Sequence, residues 1–223
     1  MNIYSEQTLF KDRTDAGKRL AKALIDYRGK DTVVFAIPRG GVPVALEVAA
    51  ELKTDLDIVI VSKIQVPSQP EAGYGAVTED GTLVLNEPMV KRLNMEREDV
   101  ERQADAVREK IMRRSLLYRR KISPRPVKDK IAIIIDDGLA SGYTMLAAVQ
   151  SLRKRKASEI VVAVPVSSRS AYNVVKPEVN ELISLIVDRS NWFAVASYYL
   201  NWHDLNDEEV GRCFEFWRTR MVA

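Results

Sequence analysis

The stretch from Ile131 to Thr144 constrains this chain more than any other. It reads IAIIIDDGLASGYT, in which an apolar run is followed by two adjacent acids and by a loop containing Gly138 and Gly142. A continuous apolar run of this kind is typical of a strand buried on both faces of a parallel sheet. The segment MLAAVQSLRK comes next and favours a helix. The sequence therefore predicts a strand, a polar loop and a helix in succession.

The residues after this strand suit a sugar phosphate. Glycines at that place let backbone N–H groups turn towards an anion, and the start of the next helix adds partial positive charge. Asp136 and Asp137 cannot bind a phosphate themselves, but carboxylates accept hydrogen bonds from sugar hydroxyls or bind Mg²⁺. We therefore assign the sugar hydroxyls to the two acids and the phosphate to residues 138–144. The alternative is an ordinary strand-to-helix turn with an acid at the helix N-cap.

Strand and helix patterns alternate along the rest of the chain. This alternation predicts an α/β fold with a doubly wound, mainly parallel sheet flanked by helices, and we expect a single domain over residues 1–223. Ligands of such sheets bind beyond the carboxyl ends of the strands. The expected strands are 32–37, 57–62, 131–136, 159–166 and 182–187, and the expected helices are 12–28, 42–52, 143–156, 168–175 and one from about residue 206.

Three further segments complete the expected organisation. Residues 64–73 are rich in proline and small residues and are expected to form a loop, followed by a hairpin of 74–77 and 82–85 around a D-G turn. Residues 64–76 would close as a lid over the site, so that 64–86 comprise the lid loop and the hairpin. Residues 89–121 are expected to form one long charged helix that Pro124 and Pro126 stop. Residues 188–223 would form a C-terminal tail that acts as a small hood.

Composition excludes several classes of protein. The net charge is only +3, so the chain as a whole is not an obvious polyanion binder. The single cysteine, Cys213, cannot form an internal disulfide and fits a reducing cytoplasm. The first residues lack the apolar core of a signal peptide, and no stretch reaches the roughly 20 apolar residues that span a bilayer, so we expect no membrane contact. The only histidine, His203, has no nucleophile motif nearby and is interpreted as a surface or hood residue.

The segment DDGLASGYT, residues 136–144, resembles the phosphoribosyl-pyrophosphate (PRPP) motif of the type I phosphoribosyltransferases. Pro38-Arg39-Gly40-Gly41 is similar to the pyrophosphate loop of that family. PSQPEAGYGAV and the tail WFAVASYYLNWHDLNDEEV resemble one subgroup of the family, which has no assigned base, and Ser62 stands where that subgroup has arginine. The resemblance covers about residues 10–215.

This resemblance implies Mg²⁺-dependent transfer of phosphoribosyl from PRPP to a nitrogenous base or a related small-molecule acceptor, with release of pyrophosphate. It also implies that the strand 32–37 lies beside the strand 131–136, and that the Pro38–Arg39 peptide bond is cis. The site residues implied for PRPP are Asp136 and Asp137 for the ribose, the metal and catalysis; Gly138, Leu139, Ala140, Ser141, Gly142, Tyr143 and Thr144 for the 5′-phosphate; and Arg39, Gly40, Gly41 and Lys63 for the pyrophosphate and catalysis. A plain turn at 38–41 and a solvated Lys63 are the alternatives.

The acceptor is expected to lie under the tail. In the family that the chain resembles, the region after the last strand covers the base, so the resemblance implies this role for Asp188, Trp192 and Phe193. Flat aromatic surface suits a flat heterocycle, although these side chains could instead serve the packing of the tail. Relatives that use 6-oxopurines have an aspartate at the fifth motif position, which takes a proton from the base. Ala140 stands there, so hypoxanthine and guanine should be poor substrates. Glu71 in the proposed lid is the candidate catalytic acid or base, and a solvated loop glutamate is the alternative.

A second hypothesis is a regulatory protein of the same fold that binds PRPP or a nucleotide and responds through nucleic acid or a protein partner. The basic run KIMRRSLLYRRKISPRPVKDK, residues 110–130, favours it. That run is either a solvated helix face or a patch for RNA or DNA, with little aromatic surface for stacking. We expect a homodimer in either case.

Overall fold

Two sheets organise this protein, whose computed structural model describes residues 9–66, 69–190 and 192–222. In the first sheet all neighbouring strands are parallel, in the order β2-β1-β6-β7-β8; in the second they are antiparallel, in the order β3-β4-β5. The strands are β1 (Thr32–Ala36), β2 (Asp55–Ile58), β3 (Val61–Val66), β4 (Gln69–Thr78), β5 (Leu83–Leu85), β6 (Ile131–Ile135), β7 (Glu159–Ser168) and β8 (Glu181–Asp188).

Helices cover both faces of the parallel sheet, which confirms the expected fold class. Successive residues of a strand point to opposite faces. Val34 of β1 accordingly belongs to a buried cluster that includes side chains of α1, α2, α4 and α7, while Val33 belongs to one that includes side chains of α5 and α6. Full burial of one such side chain contributes about 1.5–3 kcal/mol, so the strand register is firmly set. The helices are α1 (Arg13–Ala23), α2 (Gly41–Leu52), α3 (Glu87–Arg92), α4 (Arg97–Arg119), α5 (Tyr143–Lys154), α6 (Arg169–Val175) and α7 (Asp207–Val222).

The expected single strand over 57–62 is wrong. The chain leaves the parallel sheet after Ile58 and enters the antiparallel sheet at Val61, so two strands share this run. Residues 58–61 are a continuous apolar run, IVIV, that crosses from one sheet to the other, and periodicity cannot detect a change of sheet inside such a run. The loop expected over 64–73 is also wrong, because β3 and β4 occupy most of it. The hairpin of β4 and β5 is confirmed, and Gly81 has a φ of +79° in its turn.

The expected continuous helix over 89–121 is wrong as well, because α3 and α4 are separate. Asn94 lies between them with a φ of +49°, in the left-handed region. The N–H of Met95 donates to the carbonyl of Val90 at 3.2 Å, which satisfies an end carbonyl of α3. Asparagine tolerates this backbone conformation and often terminates helices in it. The apolar stripe along this region conceals the break, since it continues on both sides.

The start of the described chain lies against the tail. The N–H of Phe10 donates to the carbonyl of Tyr198 at 2.8 Å, and the N–H of Leu200 donates back to the carbonyl of Phe10 at 2.8 Å. Phe10, Tyr198 and Tyr199 are all buried there. This contact brings the first turn of α1 to the edge of the sheet where β6 ends. Within the described ranges, none of the helices combines the length and the apolar character that crossing a membrane requires.

Candidate functional site

The loops that follow β1 and β6 meet at one place. The two strands are parallel neighbours, as expected, so their carboxyl ends lie at the same edge of the sheet. A Cβ added to Gly40 would lie 2.0 Å from Oδ2 of Asp137, and one added to Gly41 would lie 2.6 Å from the carbonyl oxygen of Ile135. Only glycine allows this approach of the backbone. The structure therefore brings the glycine loop and the acid pair into direct contact.

The glycine loop, residues 38–41, has the expected cis peptide bond and an arginine that is available to a ligand. The Pro38–Arg39 peptide bond is cis. Arg39 is half-buried, and its guanidinium makes no hydrogen bond or ion pair with the residues that the structure describes. A guanidinium without a protein partner beside two glycines can bind a polyanion at close range.

The two carboxylates differ in their surroundings. Oδ1 of Asp136 accepts a hydrogen bond from the N–H of Asp137 at 2.8 Å, whereas Oδ2 of Asp137 lies 2.8 Å from Nε of Arg13. Burial and the neighbouring charge of Asp137 raise the pKa of Asp136 well above its ordinary value. Burial also raises the pKa of Asp137, although the Arg13 cation opposes that rise. Asp137 is thus the member of the pair that is charged more readily.

Arg13 is a site residue that sequence reasoning missed. It is 7% exposed, donates from Nη1 to the carbonyl of His203 at 2.9 Å, and lies over the Trp202 ring with its guanidinium carbon 3.9 Å from the ring centroid. The hydroxyl of Tyr199 donates to the backbone carbonyl of Asp137 at 2.7 Å. One sequence signal could have identified Arg13. A cation in the first turn of a helix interacts unfavourably with the helix dipole, so its presence there indicates a role other than stabilising the helix.

In the proposed phosphate loop, residues 138–144, Leu139 is hydrogen-bonded to the protein, whereas the hydroxyls that follow it are available to a ligand. Leu139 is buried, its N–H donates to the carbonyl of Val166, and its carbonyl accepts from the N–H of Ser168, each at 2.9 Å. Its amide is therefore not available to a phosphate. Gly142 has a φ of +85° at the N-cap of α5. The side-chain hydroxyls of Ser141, Tyr143 and Thr144 have no hydrogen-bond partner among the described residues.

A cavity of about 580 Å³ adjoins this loop. Of the three residues assigned to the acceptor, only Phe193 lines this cavity. Trp192 is 93% exposed and is not part of the lining. The carboxylate of Asp188 is bound internally, since it accepts from the N–H of Ser190 at 2.6 Å and from the hydroxyl of Tyr198 at 2.6 Å. The lining of the cavity includes Ala140, Ser168, Arg169, Asn173, Arg189 and Phe193.

The remaining assigned residues lie on the antiparallel sheet. Lys63 is in β3 opposite Ala76, so it lies within the antiparallel sheet and does not directly follow a strand of the parallel sheet. The backbone of Glu71 belongs to β4, and its side chain falls outside the part of the chain that the structure describes. His203 is exposed, as expected, and its Nε2 lies 2.9 Å from Oε1 of Glu209.

Comparison with known proteins gives concordant matches. A family model described as a phosphoribosyl transferase domain matches residues 8–202. The chain is 39% identical over 206 residues to the Mycobacterium tuberculosis protein named "Putative phosphoribosyl transferase Rv0571c", and the match covers 91% of this chain and 45% of that protein. The chain thus spans about half the length of the curated relatives that it matches.

A solved structure resembles most of the chain. The crystal structure of TT1426 from Thermus thermophilus matches with a TM-score of 0.78 and 36% sequence identity. The match covers 94% of this chain and 99% of that one. The two proteins therefore share the fold over most of their length.

Proposed function

The chain belongs to the phosphoribosyltransferase family, and from that premise we propose that it transfers phosphoribosyl from PRPP to a nitrogenous base or a related acceptor and releases pyrophosphate. The acceptor nitrogen forms a bond to C1 of the ribose, while the bond from C1 to the pyrophosphate oxygen breaks. Pyrophosphate leaves with the bonding electron pair. The proton of the acceptor nitrogen passes to a carboxylate, for which Glu71 is our candidate, or to solvent.

The observation that carries this proposal is the contact of Gly40 with Asp137. It joins a loop suited to pyrophosphate with an acid suited to ribose hydroxyls, at the edge of the sheet where ligands of such folds bind. A molecule that holds a ribose between two phosphate groups fits this arrangement. Arg39 then supplies a cation beside the departing charge, and fixed donors of this kind stabilise the transition state.

Each residue of the acid pair has a distinct proposed role. Asp137, held by Arg13, accepts a hydrogen bond from a ribose hydroxyl and fixes the position of C1. Such orientation is the main contribution when the protein makes no covalent bond to substrate. The N–H groups at the start of α5, from Gly142 to Thr144, receive the 5′-phosphate, because the 12-residue helix directs its positive end there. Leu139 contributes by anchoring the loop to β7 rather than by contacting the phosphate.

Mg²⁺ fits the donor set of this site. The two adjacent carboxylates offer hard oxygen atoms. No group of three or more ligating side chains occurs among the described residues, so the substrate would have to supply the other ligands. Mg²⁺ is usually bound through one or two carboxylates together with substrate phosphates, so Asp136 and Asp137 would hold it with PRPP. When bound, the ion neutralises charge on the leaving pyrophosphate.

The regulatory alternative finds less support in the structure. Five of the six arginines of α4 are paired with carboxylates of this chain, namely Arg97, Arg102, Arg108, Arg114 and Arg119, while Arg113 is exposed. Pairing removes much of the free positive charge that binding to a polyanion needs. We also propose a cytoplasmic location, in keeping with the single thiol of Cys213, and a homodimer, which light scattering can measure.

The decisive experiment incubates the protein with PRPP, Mg²⁺ and a panel of bases, and measures pyrophosphate release. We expect release that depends on both Mg²⁺ and one base, and that Gly40→Ala abolishes. Nucleic-acid retention at moderate salt is measured in parallel. Retention together with PRPP binding, and without pyrophosphate release from any base, would favour the regulatory alternative instead.

A further inference from the structure

The cavity of about 580 Å³ beside the phosphate loop has the size of a small-molecule site. Ala140 joins it to the loop, and the Ala140 carbonyl accepts a hydrogen bond from the hydroxyl of Ser168 at 2.8 Å. Phe193, half-buried and tilted against Tyr198 with 5.8 Å between ring centroids, contributes an aromatic surface. A flat ring next to the ribose would therefore lie in this cavity.

Two arginines without partners line the same cavity. Arg169 begins α6 and Arg189 directly follows β8. Neither guanidinium makes a hydrogen bond or an ion pair with any residue in the described ranges. Asp188 adjoins Arg189 in sequence, but its two carboxylate oxygens accept hydrogen bonds from Ser190 and Tyr198 instead.

The charge of this cavity is therefore positive and uncompensated. The described lining residues include no aspartate or glutamate. Arg13 and Arg155, by contrast, are paired with carboxylates of the chain, Arg13 with Asp137 and Arg155 with Asp57. Two unpaired guanidinium groups in one concave site are arranged to bind an anion, because their planar fork matches a carboxylate.

We propose that the acceptor is a heteroaromatic ring bearing a carboxylate, and that Arg169 and Arg189 select it by binding that carboxylate. This inference rests on the proposed function, which places the acceptor next to the phosphate loop. The ring lies against Phe193, and Asn173 adds a hydrogen-bonding group at the wall. The carboxylate takes no part in bond making or breaking, so the two arginines are specificity-determining residues.

Matched pairs of probes test the proposal. Orotate and uracil differ by one carboxylate on the same ring, and nicotinate and nicotinamide differ by the charge of one substituent. Calorimetry measures each probe against the protein alone and against the protein saturated with PRPP and Mg²⁺. We expect the carboxylate member of at least one pair to bind tenfold tighter or more, since a charge-assisted pair typically contributes at least that factor.

Variants then assign the preference to the two arginines. Arg169→Gln and Arg189→Gln should each reduce affinity for the carboxylate probe about tenfold and leave the neutral probe unchanged. Arg113→Gln is the matched control, because Arg113 is exposed on α4 and lines a different surface. It should change neither affinity.

The outcomes separate this proposal from the proposed function. Equal binding of both members of each pair, or no measurable binding of any probe, overturns the carboxylate proposal even if PRPP binds and turns over with a neutral base. A loss of PRPP affinity in Arg169→Gln or Arg189→Gln also overturns it, because the anion would then belong to PRPP itself. Carboxylate preference in a protein that does not bind PRPP would sustain the anion site and contradict the proposed function.

Discussion

Arg13 and Asp137 form a buried ion pair, with Nε 2.8 Å from Oδ2 and side-chain exposures of 8% and 15%. The acid proposed to hold the ribose is therefore positioned by a cation from the start of the chain. This pair makes the two neighbouring acids unequal, and the first two predictions follow from that difference.

Asp137→Asn should weaken PRPP binding by about 1.5–3 kcal/mol, which is the contribution of a hydrogen bond to a charged group. Calorimetry with PRPP and Mg²⁺ measures the change. The variant leaves the Arg13 cation without its counter-charge, so the titration should be made well below its melting temperature, with circular dichroism as a check of folding. Asp105→Asn, on the exposed face of α4, is the control. Unchanged PRPP affinity in Asp137→Asn would remove Asp137 from the site.

Asp136→Asn should stabilise the free protein at neutral pH. The pKa of Asp136 is raised in the folded state by burial and by the charge of Asp137. A carboxyl with a raised pKa costs stability once the pH exceeds its unfolded value of 3.8, and an amide avoids that cost. The melting temperature at pH 7 should rise, by about 2–4 °C for each kcal/mol gained, and the gain should vanish below about pH 4. A lower melting temperature at pH 7 would contradict the argument.

Phe193→Leu should weaken binding of the acceptor more than Trp192→Ala does. Phe193 lines the cavity beside the phosphate loop, whereas Trp192 is 93% exposed and lies outside the lining. Loss of an aromatic contact costs about 0.5–1.5 kcal/mol, or roughly twofold to tenfold in acceptor KM. Steady-state kinetics of both variants with the best base measures this difference. A larger effect from Trp192→Ala would restore the stacking role that the sequence assigned to that residue.

Hypoxanthine and guanine should be poor substrates compared with the best acceptor. Ala140 lines the cavity at the motif position where an acid would serve these bases. Rates of pyrophosphate release from each base provide the comparison, and rapid turnover of hypoxanthine would refute the argument from Ala140.

Glu71→Gln should slow the chemical step if Glu71 accepts the proton of the acceptor. General acid or base catalysis contributes about 10²–10⁴-fold, so a single-turnover experiment with the best base should detect the loss. Glu79→Gln is unsuitable as a control, because Glu79 pairs with Arg119. Gln69→Glu, which adds a carboxylate at the start of β4, is a better comparison. A loss below about threefold in Glu71→Gln would exclude the role.

Asp80→Asn should make stability less sensitive to acid. Burial alone would raise the pKa of Asp80, but hydrogen bonds from Thr78, Thr82 and Ser151 outweigh it and lower the pKa to about 2. A lowered pKa gives stability that is present above the unfolded value of 3.8 and is lost as the pH falls towards 2. After allowance for solvent screening, the loss in Asp80→Asn should be roughly 1 kcal/mol at pH 7. Urea unfolding from pH 7 down to pH 3 measures it.

Local patterns were sufficient to predict the strand, loop and helix from 131 to 154, whereas the position of the glycine loop 38–41 beside them was implied by the resemblance to the phosphoribosyltransferases. Each of these depends on residues adjacent in sequence, and the acids at 136 and 137 are recognisable from their position after an apolar strand. The division between β2 and β3 was not predictable in this way, because hydrophobicity does not distinguish two sheets that succeed one another within a single apolar run.

Contacts between distant residues account for the other differences. Arg13 reaches Asp137 across 124 positions, and nothing near either residue in sequence specifies that partner. Trp192 and Phe193 adjoin each other, and their aromatic character is the same, so only the fold assigns one to the cavity and the other to solvent. The two guanidinium groups of the cavity are likewise separated in the chain and become a site only through β7 and β8.

The contact of Arg13 with the carbonyl of His203 spans 190 positions, and the backbone pairing of Phe10 with the tail closes a loop of similar length. Closing loops of this length is entropically costly, and folding is slowest where such contacts dominate. Asp137 should therefore acquire its final orientation only in the last stage of folding, after the parallel sheet has formed. A ligand bound at Asp137 would tie the segments around Phe10 and Leu200 to the sheet, so amide hydrogen exchange should slow together in both.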